Sequence, residues 1–214
     1  MQTRNRLILA GAGAALVVLA AYLFSTRARA PRSTEAPAAG QSPRTAASPS
    51  GDVWQQAAAA IRHVPVDSFD LPELVGFAFS AYRCDVPQPH DAVEPANVIS
   101  GSFAAPGQTD WAALCTRGDS SYIMIVWGGP AHCPTPTAAA AHIDFLQGMA
   151  EGRIGYARGI GEASTAYILE HAREYRGPLP PSTNHAGIED AFLGKSSVIH
   201  YCYAGQWLAL QGAD

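Results

Sequence analysis

From Leu7 to Phe24 the chain carries no charged side chain, and Arg4 and Arg6 stand just before that run. As a helix the run would be about 27 Å long at about 1.5 Å per residue. That is close to the roughly 30 Å of a bilayer core and longer than the roughly 7–15 residues of a secretory apolar region. Residues 1–30 therefore read as a signal anchor whose transmembrane helix covers about residues 7–24. The alternative is a secreted form cut near Ala30, since Ala28-Arg29-Ala30 resembles a cleavage site. Pro31 and the crowding by Arg27 and Arg29 weigh against it. No cysteine follows the apolar run closely, which excludes a lipid-modified N-terminus; the first is Cys84. Arginines flank both sides (Arg27, Arg29 and Arg32 after it), so the positive-inside rule gives no orientation.

Pro31 to Gly51 is rich in Pro, Ala, Ser and Thr and has no apolar period. Such a segment cannot bury enough surface to offset its ordering entropy, and it reads as a disordered tether. Residues 52–214 remain as a single domain, long enough for a hydrophobic core. The net charge of the chain is −4 and no basic stripe occurs, so nucleic acid has no electrostatic footprint here. No internal repeat is present, which excludes a complete propeller or solenoid.

All four cysteines, Cys84, Cys115, Cys133 and Cys202, lie in this downstream part. An even number in an exported domain implies two disulfides. Of the three pairings, Cys84–Cys115 with Cys133–Cys202 is favoured by their places among the expected strands. The expected location is the bacterial inner membrane, single-pass, with the C-terminal domain in the periplasm or outside. No C-x-x-C pair suggests redox work. Zinc is disfavoured because His132 and Cys133 are adjacent and would point to opposite faces of an extended chain.

Along the domain, Val53–His63 reads as a helix capped by Asp52 and stopped by Pro65. Leu74–Tyr82 is a strand or a short buried helix; periodicity leaves both open. Cys84–Pro95 is a loop. Asn97–Phe103, Thr109–Thr116 and Ser121–Trp127 are strands, the last two joined at Gly118-Asp119. The apolar run Tyr122–Trp127 predicts a strand buried on both faces. Thr137–Glu151 predicts a helix with Ala141, Phe145 and Met149 on one stripe; His142 and Asp144 then fall on its surface. Ile154–Ile160 is a further strand, and Ser164–Arg176 a helix capped by Ser164 and stopped at Gly177-Pro178. Ser196–Tyr203 and Gln206–Leu210 form a hairpin across Ala204-Gly205. The fold class is α+β: an antiparallel sheet of about five strands with two to three packed helices.

The stretch from Gly101, GSFAAPGQTDWAA, resembles the hairpin of FG-GAP or VCBS-type repeats through Gly101, Phe103, Gly107, Asp110 and Ala112. In those repeats acidic residues coordinate calcium. Here Ser102, Ala104 and Pro106 stand at three of the ligand positions and Asp110 alone remains. Calcium takes about six to eight oxygens, so the resemblance implies a hairpin without metal, in which Gly107 takes the turn, Phe103 and Trp111 pack, and Asp110 bonds to loop amides. More widely, Cys84, Pro87 and Gln88, the central hairpin motif, and the run His185 to Phe192 with Lys195 and Ser197 resemble uncharacterised bacterial envelope proteins. Where those often show Asp after the histidine, this chain has Ala186. The resemblance carries no activity.

The candidate catalytic residues are His185, Glu189 and Asp190. A histidine beside two carboxylates supplies a general base and a group to orient it, with Lys195 and Ser196 following. The bland alternative makes Asn184 or His185 the cap of a short helix that begins near Ile188 and whose dipole Glu189 and Asp190 favour. No G-x-S-x-G elbow and no H-E-x-x-H occurs. Core packing accounts for most of the strand aromatics Trp111, Trp127, Tyr201, Tyr203 and Trp207, and a ligand-facing stripe is the alternative. The favoured function is a non-catalytic binding or structural module of the envelope, anchored in the membrane and holding a protein, peptide or glycan, with no cofactor. The alternative is a hydrolase-like enzyme using His185 with Glu189 or Asp190.

Overall fold

The apolar run that reads as a doubly buried strand is one. β5 (Ser120–Val126) lies between β4 (Asp110–Arg117) and β6 (Thr137–Ala141), and β3 (Val98–Gly101) completes a four-stranded antiparallel sheet in the order β3-β4-β5-β6. The structure, a computed structural model, describes residues 51–175, 181 and 183–213. The anchor segment Leu7–Phe24, the sequence Ala28–Ala30, residues 31–50 of the tether and the stop at Gly177-Pro178 lie outside them. No helix among the described residues is long and apolar enough to cross a membrane.

Strand alternation gives the first sheet two different faces. Ala113, Cys115, Tyr122 and Met124 point one way and pack on Val75 and Phe79. Those two belong to α2 (Glu73–Ala81), four residues apart on one helical stripe. The helix is the outcome for the segment whose periodicity was ambiguous. Ala112, Leu114, Ile123 and Ile125 point the other way, onto Phe103 and Ile188. The tight turn at Gly118 has φ +63°.

Ile188 belongs to a second four-stranded antiparallel sheet, in the order β12-β11-β10-β9. It is built from β9 (Arg158–Ala163), β10 (Gly187–Phe192), β11 (Ser196–Tyr203) and β12 (Gln206–Gln211). The hairpin β11–β12 turns at Ala204-Gly205, both with positive φ. The outer face of this sheet presents Ile199, Tyr201 and Ala163 to Ile168. Ile168 lies on α3 (Thr165–Glu174), and Ser164 caps that helix by accepting the Tyr167 N–H. The layers are thus helix, sheet, sheet, helix.

Two smaller antiparallel pairs finish the domain: β1 (His63–Pro65) with β2 (Asp85–Pro87), and β7 (Leu146–Gly148) with β8 (Ile154–Tyr156). α1 (Gly51–Ala59) packs Trp54, Ala57 and Ala58 on Ile61, Leu146 and Tyr156. It ends before His63, and Asp52 lies inside it rather than at its cap.

The expected single sheet of about five strands is therefore corrected to two four-stranded sheets and two short pairs; α+β stands. The helix expected over Thr137–Glu151 is absent. Thr137–Ala141 is strand β6, His142–Phe145 a 3-10 turn and Leu146–Gly148 strand β7. Helix propensity in an alanine run amounts to a few tenths of a kcal/mol per residue. Here it loses to pairing along β5, with a register shift between Ser121 and Ile123. His142 is accordingly buried and not on a helix surface, while Asp144 is exposed. Ile154–Ile160 divides into β8 and β9, which serve different sheets.

Cys84 is bonded to Cys115 and Cys133 to Cys202, the favoured pairing. The first ties the chain after α2 to β4. The second ties the segment between β5 and β6 to β11. Two disulfides indicate an oxidising, extracytoplasmic location.

Candidate functional site

The hairpin that resembles a calcium-binding repeat is organised by one carboxylate. Asp110 is fully buried at the start of β4. Its Oδ2 accepts the N–H of Phe103 at 2.9 Å and of Ala104 at 3.2 Å. Its Oδ1 accepts the Gln108 side-chain amide at 2.7 Å and the Gly128 N–H at 3.0 Å. Both oxygens are thus surrounded by N–H donors, the reverse of the oxygen-rich shell a calcium ion needs. Gly128 has to be glycine, because a Cβ there would stand 1.9 Å from the Thr109 carbonyl oxygen. Gly107 takes φ +74° in the turn. Phe103 and Trp111 both pack, on opposite faces: Phe103 in the core between the sheets and Trp111 on the α2 side. Alternation along β4 sends Trp111 and Ala112 to opposite faces.

Gly187–Phe192 is strand β10 and no helix begins near Ile188, so neither Asn184 nor His185 caps one. Extension sends Glu189 and Asp190 to opposite faces of the second sheet. On the α3 side, Glu189 Oε1 accepts the hydroxyls of Tyr167 and Ser197, each at 2.6 Å. Burial and then that carboxylate raise the Tyr167 pKa. His185 is buried, stacks on Tyr201 at 4.3 Å with planes 4° apart, and places Nδ1 2.9 Å from the Ala186 carbonyl. No hydrogen bond or ion pair joins it to Glu189 or Asp190. Lys195, in the β10–β11 turn, sits 3.9 Å from the Phe192 ring centroid.

On the opposite face, Asp190 meets a residue the sequence reading did not single out. Arg158, at the start of β9, is fully buried. Its Nε and Nη2 donate to the two Asp190 oxygens at 2.9 and 2.8 Å. Nη1 donates to the Ser121 carbonyl and hydroxyl, both at 2.9 Å, and Nη2 also donates to the Ala138 carbonyl. A guanidinium has five N–H groups in a fixed fork, and every one is used. The Phe145 ring lies 4.7 Å from the guanidinium carbon. Arg158 thereby fastens β9 and β10 of one sheet to β5 and β6 of the other. A lone arginine between Ala157 and Gly159 in a small-residue strand was the signal available in the sequence.

Burial alone would raise the Asp190 pKa, but the hydrogen bonds from Arg158 and His200 and the charge of both hold it below the usual carboxylate value. His200 Nε2 is 3.6 Å from Asp190 Oδ2. Beyond Ser121 the network runs to Tyr156, whose hydroxyl is 3.1 Å from Ser121 Oγ and whose pKa burial pushes up to about 12. His142 lies edge-on to Tyr156, 5.7 Å away, with its buried Nε2 unpartnered. Burial, and then the neighbouring His63, lower the His142 pKa.

Asp190 and His200 line a cleft of about 340 Å³ between β6 and the β10–β11 hairpin. Ala138, Ala139 and Ala140 form one wall; Phe192, Ser196 and Val198 form the other. Asp144 and Phe145 stand at one end. Val198 has the inner-face parity of β11 and is still 42 % exposed, so this strip of the sheet is not covered. Among the described residues no group of three or more His, Cys, Asp or Glu is arranged to hold a metal ion. Comparison with known proteins yields no matching family model, no matching curated protein and no matching solved structure.

Proposed function

We propose that this chain is a non-catalytic binding module of the bacterial envelope, and that the cleft between β6 and the β10–β11 hairpin is its binding site. The N-terminal apolar segment would hold it in the inner membrane and the Pro/Ala/Ser-rich tether would present the domain outside. The observation that carries the reading is the state of the polar groups around the cleft. Arg158 has no donor left to offer a substrate, Asp190 is committed to Arg158, and His185 is turned into its own backbone and Tyr201. General base catalysis needs a base within hydrogen-bond reach of the proton it abstracts and a group to orient it. The hydrolase alternative would need His185 beside Glu189 or Asp190, and neither carboxylate bonds to it. A mostly apolar cleft with a few fixed polar groups suits reversible binding.

The test is amide exchange of the full-length protein with soluble peptide and glycan fractions of a cell-envelope extract. Slower exchange confined to β6 and β10–β11, abolished by Val198→Trp, is the expected result. Protection confined to α2 or the Asp110 hairpin, or turnover of the extract components that is lost in His185→Ala, would overturn it.

A further inference from the structure

We propose that the occupant of this cleft is an extended peptide segment of another protein, bearing a lysine or arginine, that adds as a fifth strand to β6. The assignment rests on the cleft being the binding site. Three independent features point to it. The first is the edge: the sheet order β3-β4-β5-β6 leaves one side of β6 without a neighbouring strand, and that side borders the cleft. An edge offers a row of backbone donors and acceptors, which natural proteins ordinarily guard with lysine, proline or an outward bulge. The strand Thr137–Ala141 has no charged residue and no proline; it carries the extra residue of the register shift between Thr137 and Ala140, with Ala138 at φ +52° and its carbonyl held by Arg158, so the edge on offer is Ala139–Ala141.

The second is shape. Ala138, Ala139 and Ala140 carry only methyl groups, so an incoming backbone can approach closely. The facing wall offers Val198 and Phe192 to every second side chain of the newcomer, in the alternation a strand imposes. Ala139–Ala141 span about 10 Å as extended chain, enough to pair the centre of a short peptide.

The third is charge. The basic residues that line the cleft both face Asp190: Arg158 has all its donors spent, and His200 Nε2 lies 3.6 Å from the same carboxylate. Asp144 stands exposed at the rim, and among the described residues it has no ion-pair or hydrogen-bond partner. Lys195 belongs to the adjoining surface over Phe192 and not to the cleft lining. The charged side chain of the lining left without an ion-pair partner is therefore Asp144. A basic side chain is favoured and an acidic one repelled.

The experiment pans the detergent-solubilised full-length protein against displayed random octapeptides and carries the best one forward as a synthetic peptide. The expected peptides alternate β-branched residues and include a lysine or arginine. Binding slows amide exchange in Ala139–Ala141. Asp144→Lys weakens binding about tenfold, as loss and reversal of a rim charge would, and Val198→Trp abolishes it. Melting curves show whether each variant is folded; both changed side chains are exposed and leave the core intact. Enrichment of acidic peptides, no enrichment, or binding without protection of β6 would overturn strand addition. So would protection of β6 that grows with protein concentration alone, because the occupant would then be a second copy. If the envelope extract still protects the cleft in any of these cases, the cleft reading survives; if Val198→Trp leaves the selected peptide's binding unchanged, both fall.

Discussion

Arg158 shows how much one buried side chain can decide. Desolvating a guanidinium costs several kcal/mol, and only complete pairing recovers it. Asp190 supplies the opposite charge, and Ser121 and Ala138 supply the remaining acceptors. Replacing Asp190 by Asn leaves that charge uncompensated. The expected loss is about 3–5 kcal/mol at pH 7, read from urea unfolding. The pH dependence follows from the sign of the shift. The folded pKa of Asp190 is depressed, so its contribution is fully present above the unfolded carboxylate value of about 3.9 and fades as pH falls through the lower folded value. Wild type and Asp190→Asn should converge only in that acid range; a gap that closes near neutral pH would contradict the assignment. Asp190 was legible in the sequence as a chemical candidate. Its partner was not, because strand parity, which separates it from Glu189 and His185, was hidden by reading the segment as a helix start.

At the scale of elements, the two alanine-rich stretches make the instructive pair. Ala57–Ala60 lies largely in helix α1, whereas Ala138–Ala141 is strand β6. The local preference is the same; what differs is an unpaired neighbour, β5, beside the second. The central hairpin was legible because Gly118 and the apolar run after it carry their own turn and strand signals. Its loop is held by the Asp110 carboxylate in place of an ion. Asp110→Ala would leave the N–H groups of Phe103, Ala104 and Gly128 without their acceptor. At about 1–3 kcal/mol for each donor left unsatisfied, at least about 3 kcal/mol of stability should be lost by chemical denaturation. A variant as stable as wild type would mean that water or another carbonyl serves those amides.

At the scale of the molecule, the two sheets are joined by Arg158, by the core around Ile188 and by a covalent tie from Cys133 to Cys202. That tie closes a separation of 69 residues, against 31 for Cys84–Cys115. Chain entropy puts the two at about 4.4 and about 3.7 kcal/mol. The paired change Cys133→Ala with Cys202→Ala should therefore cost more than Cys84→Ala with Cys115→Ala, measured by thermal melting. Protein recovered from a membrane fraction and alkylated before reduction should gain no adduct, and after reduction four. Four adducts without reduction would contradict the oxidised state, and the same mass would report whether residues 1–30 are retained.

The sequence by itself determined the class of the fold, the central hairpin, the terminal hairpin, the capped third helix and the cross-linked character of the domain. These rest on local signals: turn residues, caps, alternation and cysteine number. Only the tertiary structure decided that there are two sheets, that Thr137–Ala141 is an edge strand, and that Asp190 faces Arg158 across the interface between the sheets. Those outcomes depend on which surfaces meet, and a buried charge or an unpaired strand edge acquires its partner from residues far away in the chain.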